Sequence, residues 1–192
     1  MNGVNGLILA GGASSRMGQP KALLTYDGSL QLHRVNRLLQ PICSQLFLSC
    51  QPLQVDLYRA SGWEGPVVVD QARWGTIGPL NGLLSALDRH PGPWLVVGCD
   101  YPLLETADIQ LLLDSRAAGQ LAVAYETING LEPIISLYEA AAAPFLISFW
   151  EKGQQSLRHF LSSHPIQRVP PPLPDRLQSI DTPEAYHRIH LT

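Results

Sequence analysis

The sequence predicts one α/β domain, a three-layer sandwich around a mostly parallel, Rossmann-like sheet. Three observations predict it. Short, continuously apolar runs recur through the first hundred or so residues, helix-period stretches lie between them, and the first apolar run passes directly into a glycine-rich loop. A run that is apolar at every position suits a strand covered on both faces, and strands alternating with helices give parallel crossovers. We read residues 1–192 as a single domain, with no linker long enough to separate two domains and no internal repeat. A chain of this length buries roughly 70% of the surface its unfolded form exposes, so it needs no metal or disulfide staple.

GLILA at 6–10 is the first strand, followed by the loop GGASSRMG at 11–18. SLQLHRVNRLLQ at 29–40 has helical spacing and is stopped by Pro41. QLFLSC at 45–50 and PVVVD at 66–70 are strands, and LNGLLSALDRH at 80–90 is a helix stopped by Pro91-Gly92-Pro93. WLVVGCD at 94–100 is a further buried strand. ADIQLLLDSRAAG reads as a helix ending at Gly119. LAVAYE and EPIISLY then flank Asn129-Gly130, a favourable hairpin pair. Helices over 139–151 and 154–162 follow, PPPLPD at 170–175 is extended or a loop, and DTPEAYHRIH at 181–190 is a last helix. Asp181 or Thr182 would cap it, with Pro183 in its first turn.

Composition excludes several classes of function. Charged residues are 15% of the chain and the formal charge is −3, which argues against a sequence-independent nucleic-acid binder with its basic footprint. No run of 18 apolar residues exists, and the N-terminus lacks a charged segment leading into a signal-peptide core, so a cytoplasmic protein without membrane contact is expected. Cys43, Cys50 and Cys99 have neither metal spacing nor an even count and read as reduced, packed thiols. Cys99 stands next to Asp100, with nothing nearby to make it a nucleophile. The six histidines are scattered without a metal pattern and read mostly as polar surface.

The segment LILAGGASSRMGQPKALL carries the chemistry. Gly11 and Gly12 directly after a strand let the backbone approach a ligand and aim N–H groups at phosphate oxygens. Arg16 and Lys21 supply the cationic charge that offsets a triphosphate. The bland alternative has both facing solvent above an ordinary turn. The pattern is neither GxGxxG nor GxxxxGK[ST], since Ala22 follows Lys21 and no Walker hydroxyl is present for Mg²⁺. Another group must hold the metal, and Asp100, at the C-terminal end of WLVVG where α/β sheets place ligands, is the candidate. A carboxylate there can hold Mg²⁺ bridging α- and β-phosphate oxygens, unless it is only a turn or cap residue.

LAGGASSRMGQPKALL resembles the signature of the molybdenum cofactor guanylyltransferase family, within the nucleotidyltransferases that activate sugars and cofactors. GPLNGLLSAL at 78–87, VVGCDYPLL at 96–104, EPIISLY at 132–138 and IDTPEAY at 180–186 agree with it in order, spanning nearly the whole chain. The resemblance implies a single α/β domain of the nucleotide-diphospho-sugar transferase type. It implies that Leu9, Ala10, Gly11 and Gly12 contact a guanine nucleotide, that Lys21 holds its phosphates, that Asp70 lies near the nucleoside and that Asp100 binds Mg²⁺. Gly78, Pro79, Leu80, Asn81 and Gly82 would lie over the nucleotide pocket. The chain departs from the family pattern at Cys50 and Asp181, where asparagine is frequent, and at Asn81, where a small residue is usual.

The implied reaction is attack by a terminal phosphate oxygen of Mo-molybdopterin on the α-phosphorus of GTP, releasing pyrophosphate. A phosphate dianion is already a nucleophile, so no serine, cysteine or histidine base is required; the protein must align two polyanions and screen their repulsion. Arg73, Arg158 and Arg168 are candidate acceptor contacts, with solvated surface as the alternative for each. The presence of a GPLxG block favours GTP over CTP. A monomer that meets cofactor-insertion proteins or molybdoenzymes transiently is expected. Two other readings stay open: a transferase using CTP or acting on a sugar phosphate, and a catalytically inactive nucleotide-binding assembly protein.

Overall fold

The computed structural model describes residues 3–12 and 17–189. In chain order the elements are β1 (Asn5–Leu9), β2 (Thr25–Tyr26), β3 (Ser29–Leu30), α1 (Gln31–Leu39), β4 (Gln45–Cys50), α2 (Val55–Ala60), β5 (Val67–Val69), α3 (Pro79–Arg89) and β6 (Trp94–Gly98). Then come α4 (Thr106–Asp114), β7 (Ala122–Thr127), β8 (Gly130–Tyr138), α5 (Ala143–Glu151), α6 (Leu157–Ser163), β9 (Gln167–Val169) and α7 (Pro183–Ile189).

The sheet is seven-stranded in the order β5-β4-β1-β6-β8-β7-β9. β5, β4, β1 and β6 run parallel, β8 is antiparallel to both of its neighbours, and β9 pairs parallel with β7. The mostly parallel sheet expected from the apolar runs is therefore present, with one reversed strand.

Side chains alternate across each strand, and helices cover both faces. Leu7, Phe47 and Val96 face a core closed by Leu80, Leu83 and Leu84 of α3, Leu146 of α5 and Phe160 of α6. Ile8, Leu48 and Val97 face the opposite core, closed by Leu32 and Val35 of α1, Tyr58 of α2 and Leu112 of α4. That double coverage is why these strands read as unbroken hydrophobic runs. Each large apolar side chain buried this way contributes on the order of 1.5–3 kcal/mol. Among the described residues, no helix is long and apolar enough to cross a membrane.

Several boundaries differ from the sequence reading. The helix expected over 29–40 begins at Gln31, because Ser29 and Leu30 form β3 of a hairpin turning at Asp27 (φ 48°) and Gly28 (φ 73°). An Asp-Gly pair with both residues left-handed is a favoured two-residue hairpin turn, and here it outcompetes the helix start. The helix expected to end at Gly119 stops at Asp114, and Arg116 turns aside to bind Glu139 through two bonds of 2.7 Å. Helices α5 and α6 start later than expected, after a 3-10 turn at Ala140–Ala142 and at a Ser156 cap. PPPLPD, expected as extended or loop, ends in a 3-10 turn at Pro174–Leu177. The short α2 and β9 went unread.

A buried carboxylate ties the C-terminal segment to the domain. Asp108 is fully buried; its side chain accepts the Glu105 amide at 2.9 Å, closing a capping box at the start of α4, and faces Arg176 at 3.4 Å. Arg176 also pairs with Glu105 at 2.9 Å, and the Tyr125 hydroxyl donates to the Asp108 carbonyl. Asp108→Ala should lower stability by about 2–3 kcal/mol, the cost of unpairing a buried amide and a guanidinium. Urea unfolding checks this; a midpoint equal to the parent's would show that the clasp contributes nothing.

Candidate functional site

Because β5, β4, β1 and β6 are parallel, their C-terminal ends share one edge, which receives Asp70 from β5, Gln51 from β4, Gly11 and Gly12 from β1, and Asp100 from β6. Such an edge is where open α/β sheets bind ligands. Backbone bonds continue past the strand ends: Ala10 N–H donates to Ser49 O at 2.9 Å, and Asp70 N–H to Cys50 O at 3.0 Å. The buried Tyr58 hydroxyl donates to Ala10 O at 2.7 Å. The root of the glycine loop is thus pinned from two sides. Gly11 lies close to the ends of β4 and β5: a Cβ there would stand 3.5 Å from Asp70 Oδ2 and from Cys50 Cα, in ordinary contact.

On one side of the loop lies a cleft of about 710 Å³, lined by Leu9, Gly11, Gly12, Asp70, Gly78 and Pro79 among others. This is within the roughly 300–1,000 Å³ of small-molecule sites. Its outer wall is the 71–78 segment, and Asn81, the residue that departs from the family pattern, holds that wall. The buried Asn81 amide accepts the Gln71 N–H at 3.0 Å and donates to Gln71 O at 3.0 Å and Gly75 O at 2.7 Å. Ser85 donates to Asn81 Oδ1 at 2.9 Å and accepts from Gln71 N–H at 3.1 Å. Gly78, at φ 60°, makes the turn into α3 with Pro79 at the first helical position. Gly82 lets α3 lie against the sheet: a Cβ there would stand 3.0 Å from Leu9 Cδ2 and closer still to Ser49 Oγ.

On the other side of the loop, Lys21 joins two carboxylates. Its ammonium stands 3.6 Å from Asp100 Oδ2 and in direct contact with Asp181 Oδ1. Lys21 starts a 3-10 turn (Lys21–Leu23) whose bonds, Leu23 N–H to Pro20 O and Leu24 N–H to Lys21 O, fix its backbone. Asp100 needs Gly98 beneath it, because a Cβ at 98 would stand 2.5 Å from Asp100 Oδ1 and 2.9 Å from Ile134. Ile180 N–H donates to Asp100 O at 2.8 Å, which sets Asp181 beside Asp100. Of the two residues considered for the last helix cap, Thr182 takes the role, accepting Ala185 N–H at 3.3 Å, and Asp181 goes to Lys21. Tyr186 completes the join, donating to Thr25 O at 2.8 Å and packing edge-on against Tyr26.

Burial raises the Asp100 carboxyl above its ordinary range, and the Lys21 charge opposes that shift. Beside Asp100, the Tyr101 hydroxyl donates to Glu132 Oε2 at 3.2 Å. Burial likewise raises Glu132, opposed by the Arg158 charge at 3.8 Å. This second charged group lies on the β8 side of the edge; Arg158 is a candidate from the sequence, and its pairing with Glu132 is not read there.

The structure brings Lys21 and Asp100 together and places Leu9, Gly11, Gly12, Asp70, Gly78 and Pro79 around the cleft. Ala10 and Leu80 point elsewhere: both are buried in the cores, and Leu80 packs beneath the cleft. Arg16 lies outside the described residues. Arg73 crosses the Trp74 ring to pair with Asp88, Arg168 pairs with Glu126, and Arg158 donates to Asn129 O and pairs with Glu132. Cys50 and Cys99 are buried free thiols and Cys43 is half-buried; burial pushes Cys50 up to about 11 and Cys43 up to about 12, so both stay protonated near neutrality. Among the described residues, no group of three or more His, Cys, Asp and Glu side chains is placed to hold a metal. In the sequence Asp181 reads as a candidate helix cap, as a departure in the IDTPEAY block and, with Asp70, as the metal ligand to consider after Asp100; nothing local signals what Tyr58 and Asn81 hold.

Residues 6–169 match the family of MobA-like NTP transferase domains. A protein of Synechococcus elongatus, named a probable molybdenum cofactor guanylyltransferase, is 33% identical over 195 residues, covering 97% of each chain. A molybdenum cofactor biosynthesis bifunctional protein of Synechocystis is 30% identical, and the match takes in 96% of this chain but only 53% of that one. The fold is similar to the crystal structure of molybdopterin-guanine dinucleotide biosynthesis protein A from Archaeoglobus fulgidus, with a TM-score of 0.79 at 22% identity over 96% of both chains.

Asp70 supplies a pH signature. Burial pushes its carboxyl from 3.8 up to about 6, partly offset by the Ser49 hydroxyl donating at 3.4 Å. The folded state therefore holds a proton that the unfolded chain has released between about pH 4 and 6, and Asp70's contribution to stability falls as pH rises through that window. Asp70→Asn should flatten this decline. Urea midpoints taken from pH 4 to 7 compare the slopes, and parallel curves for parent and variant would contradict the assignment.

Proposed function

The chain belongs to the family of MobA-like NTP transferase domains, and from that premise we propose that it transfers the guanylyl group of GTP to Mo-molybdopterin with Mg²⁺. The observation that carries the proposal is the meeting of Lys21, Asp100 and Asp181 at the same sheet edge as the glycine loop and the cleft. Nucleotidyl transfer on a phosphorylated acceptor is the activity of the family. The guanine and pterin assignments draw on the names of the relatives and on the GPLNG turn.

In this reading the cleft takes the nucleoside. The Asp70 carboxylate, when ionised, accepts hydrogen bonds, which suits the donor edge of guanine, N1–H and N2–H₂, better than a pyrimidine edge of mixed donors and acceptors. The Gly11 and Gly12 backbone, rooted at the pinned Ala10, would offer N–H groups to the phosphates, and Lys21 would neutralise them. The donor set fits Mg²⁺: two carboxylates gathered around a cation leave the remaining positions to phosphate oxygens and water. Asp100 and Asp181 would hold the metal, which would screen charge and polarise the α-phosphate.

An acceptor phosphate oxygen then forms a bond to the α-phosphorus while the bond to the bridging oxygen breaks, and pyrophosphate leaves. Arg158, paired with Glu132, would meet the anionic acceptor on the β8 side. The work is assigned to a cytoplasmic monomer that passes its product to cofactor-insertion proteins or molybdoenzymes.

Purified protein given GTP, Mg²⁺ and Mo-molybdopterin should release pyrophosphate, with CTP at least about tenfold slower. Such a factor is within what one or two base contacts supply. Lys21→Ala should lower turnover by about 10²–10³-fold, as for loss of one preorganised donor. Asp100→Asn should nearly abolish turnover while the protein stays folded by circular dichroism. Faster use of CTP would overturn the guanine assignment, and nucleotide binding without turnover under any acceptor would indicate a binding protein.

A further inference from the structure

Lys21 occupies the place a metal would take. Asp100 and Asp181 arrive from separate segments, and two carboxylates brought side by side repel unless a cation lies between them. The Lys21 ammonium is that cation here. While it engages both carboxylates, they and not phosphates over Gly11 and Gly12 offset its charge. Its backbone is fixed in the 3-10 turn, so only its four-carbon stem can carry the charge from one place to the other.

We infer that Lys21 is a stand-in for the metal: its ammonium holds the Asp100–Asp181 pair until a divalent cation displaces it, and displacement delivers the lysine to the phosphates. The inference rests on the functional reading above. It adds that metal and lysine compete for one carboxylate pair, so that metal binding prepares the nucleotide site. By linkage, nucleotide phosphates that draw Lys21 away tighten the metal to the same degree. Asp181 makes the lysine's hold stronger than a neutral side chain would.

The chain holds two lysines, Lys21 and the exposed Lys152 at the end of α5, so each serves as the other's reference. Acetylation footprinting of the full chain with Mg²⁺ alone, without nucleotide, should raise the labelling rate of Lys21 several-fold and leave Lys152 unchanged. Mn²⁺ titration followed by electron paramagnetic resonance should show Lys21→Met binding the ion at least tenfold more tightly than the parent. Adding Asp100→Asn should erase that gain.

A Lys21 labelling rate indifferent to Mg²⁺, together with equal or weaker Mn²⁺ binding by Lys21→Met, would overturn the exchange. If Asp100→Asn still removed parent Mn²⁺ binding in that case, the metal reading would stand without it. If Asp100→Asn left parent Mn²⁺ binding unchanged, both would fall.

Discussion

Three segments that are distant in sequence meet where the Lys21 ammonium lies between Asp100 and Asp181, and the surrounding architecture serves that meeting. Parallel β1 and β6 put the glycine loop and Asp100 on one edge. Gly98 clears the space Asp100 needs, and Ile180 bonds to the Asp100 backbone so that the next residue reaches across to Lys21. Farther out, Arg176 on Asp108 and Glu105, and Tyr186 on Thr25, hold the C-terminal segment against the sheet. The segment is therefore part of the site. Without it, Asp100 and Lys21 would form a partly exposed pair of the kind that contributes little to stability.

The cleft on the other side of the glycine loop obeys a different constraint. Its wall is a stretch of backbone whose polar groups need partners, and the Asn81 and Ser85 side chains supply them from within α3. A small residue at 81 would leave Gln71 and Gly75 to find water or another bond. Asn81 thus supports the wall as well as lining the cleft. Asp70 closes the floor from β5, so the cleft and the charged triad are fed by opposite ends of the parallel half-sheet.

The parallel half of the fold was legible because burial on both faces leaves an unmistakable trace: GLILA, QLFLSC, PVVVD and WLVVG carry no polar alternation. The short elements were harder to read. Asp27-Gly28 offered a hairpin signal, which the apolar spacing of the following helix obscured, and β9 forms only because β7 presents a free edge to it. At the site, Gly11, Gly12, Lys21, Asp70 and Asp100 were legible because each stands at a strand end or in a loop with a chemical reason to be there. Tyr58 and Asn81 were not: Tyr58 acts through one bond to the backbone 48 residues away, and Asn81 through three bonds to the backbone of Gln71 and Gly75 that no residue pattern announces. Asp181 was visible as a carboxylate in the last block, but its partner is 160 residues away, and no local pattern reveals such a pairing.

The claim on which the account turns is that bond exchange occurs at the α-phosphorus. Following the label from GTP carrying ³²P at either the α or the γ position, with Mo-molybdopterin as acceptor, tests it directly. The account predicts that α-label appears in the pterin product and γ-label only in pyrophosphate. Recovery of γ-label in the pterin product, or of α-label only in nucleotide, would contradict it.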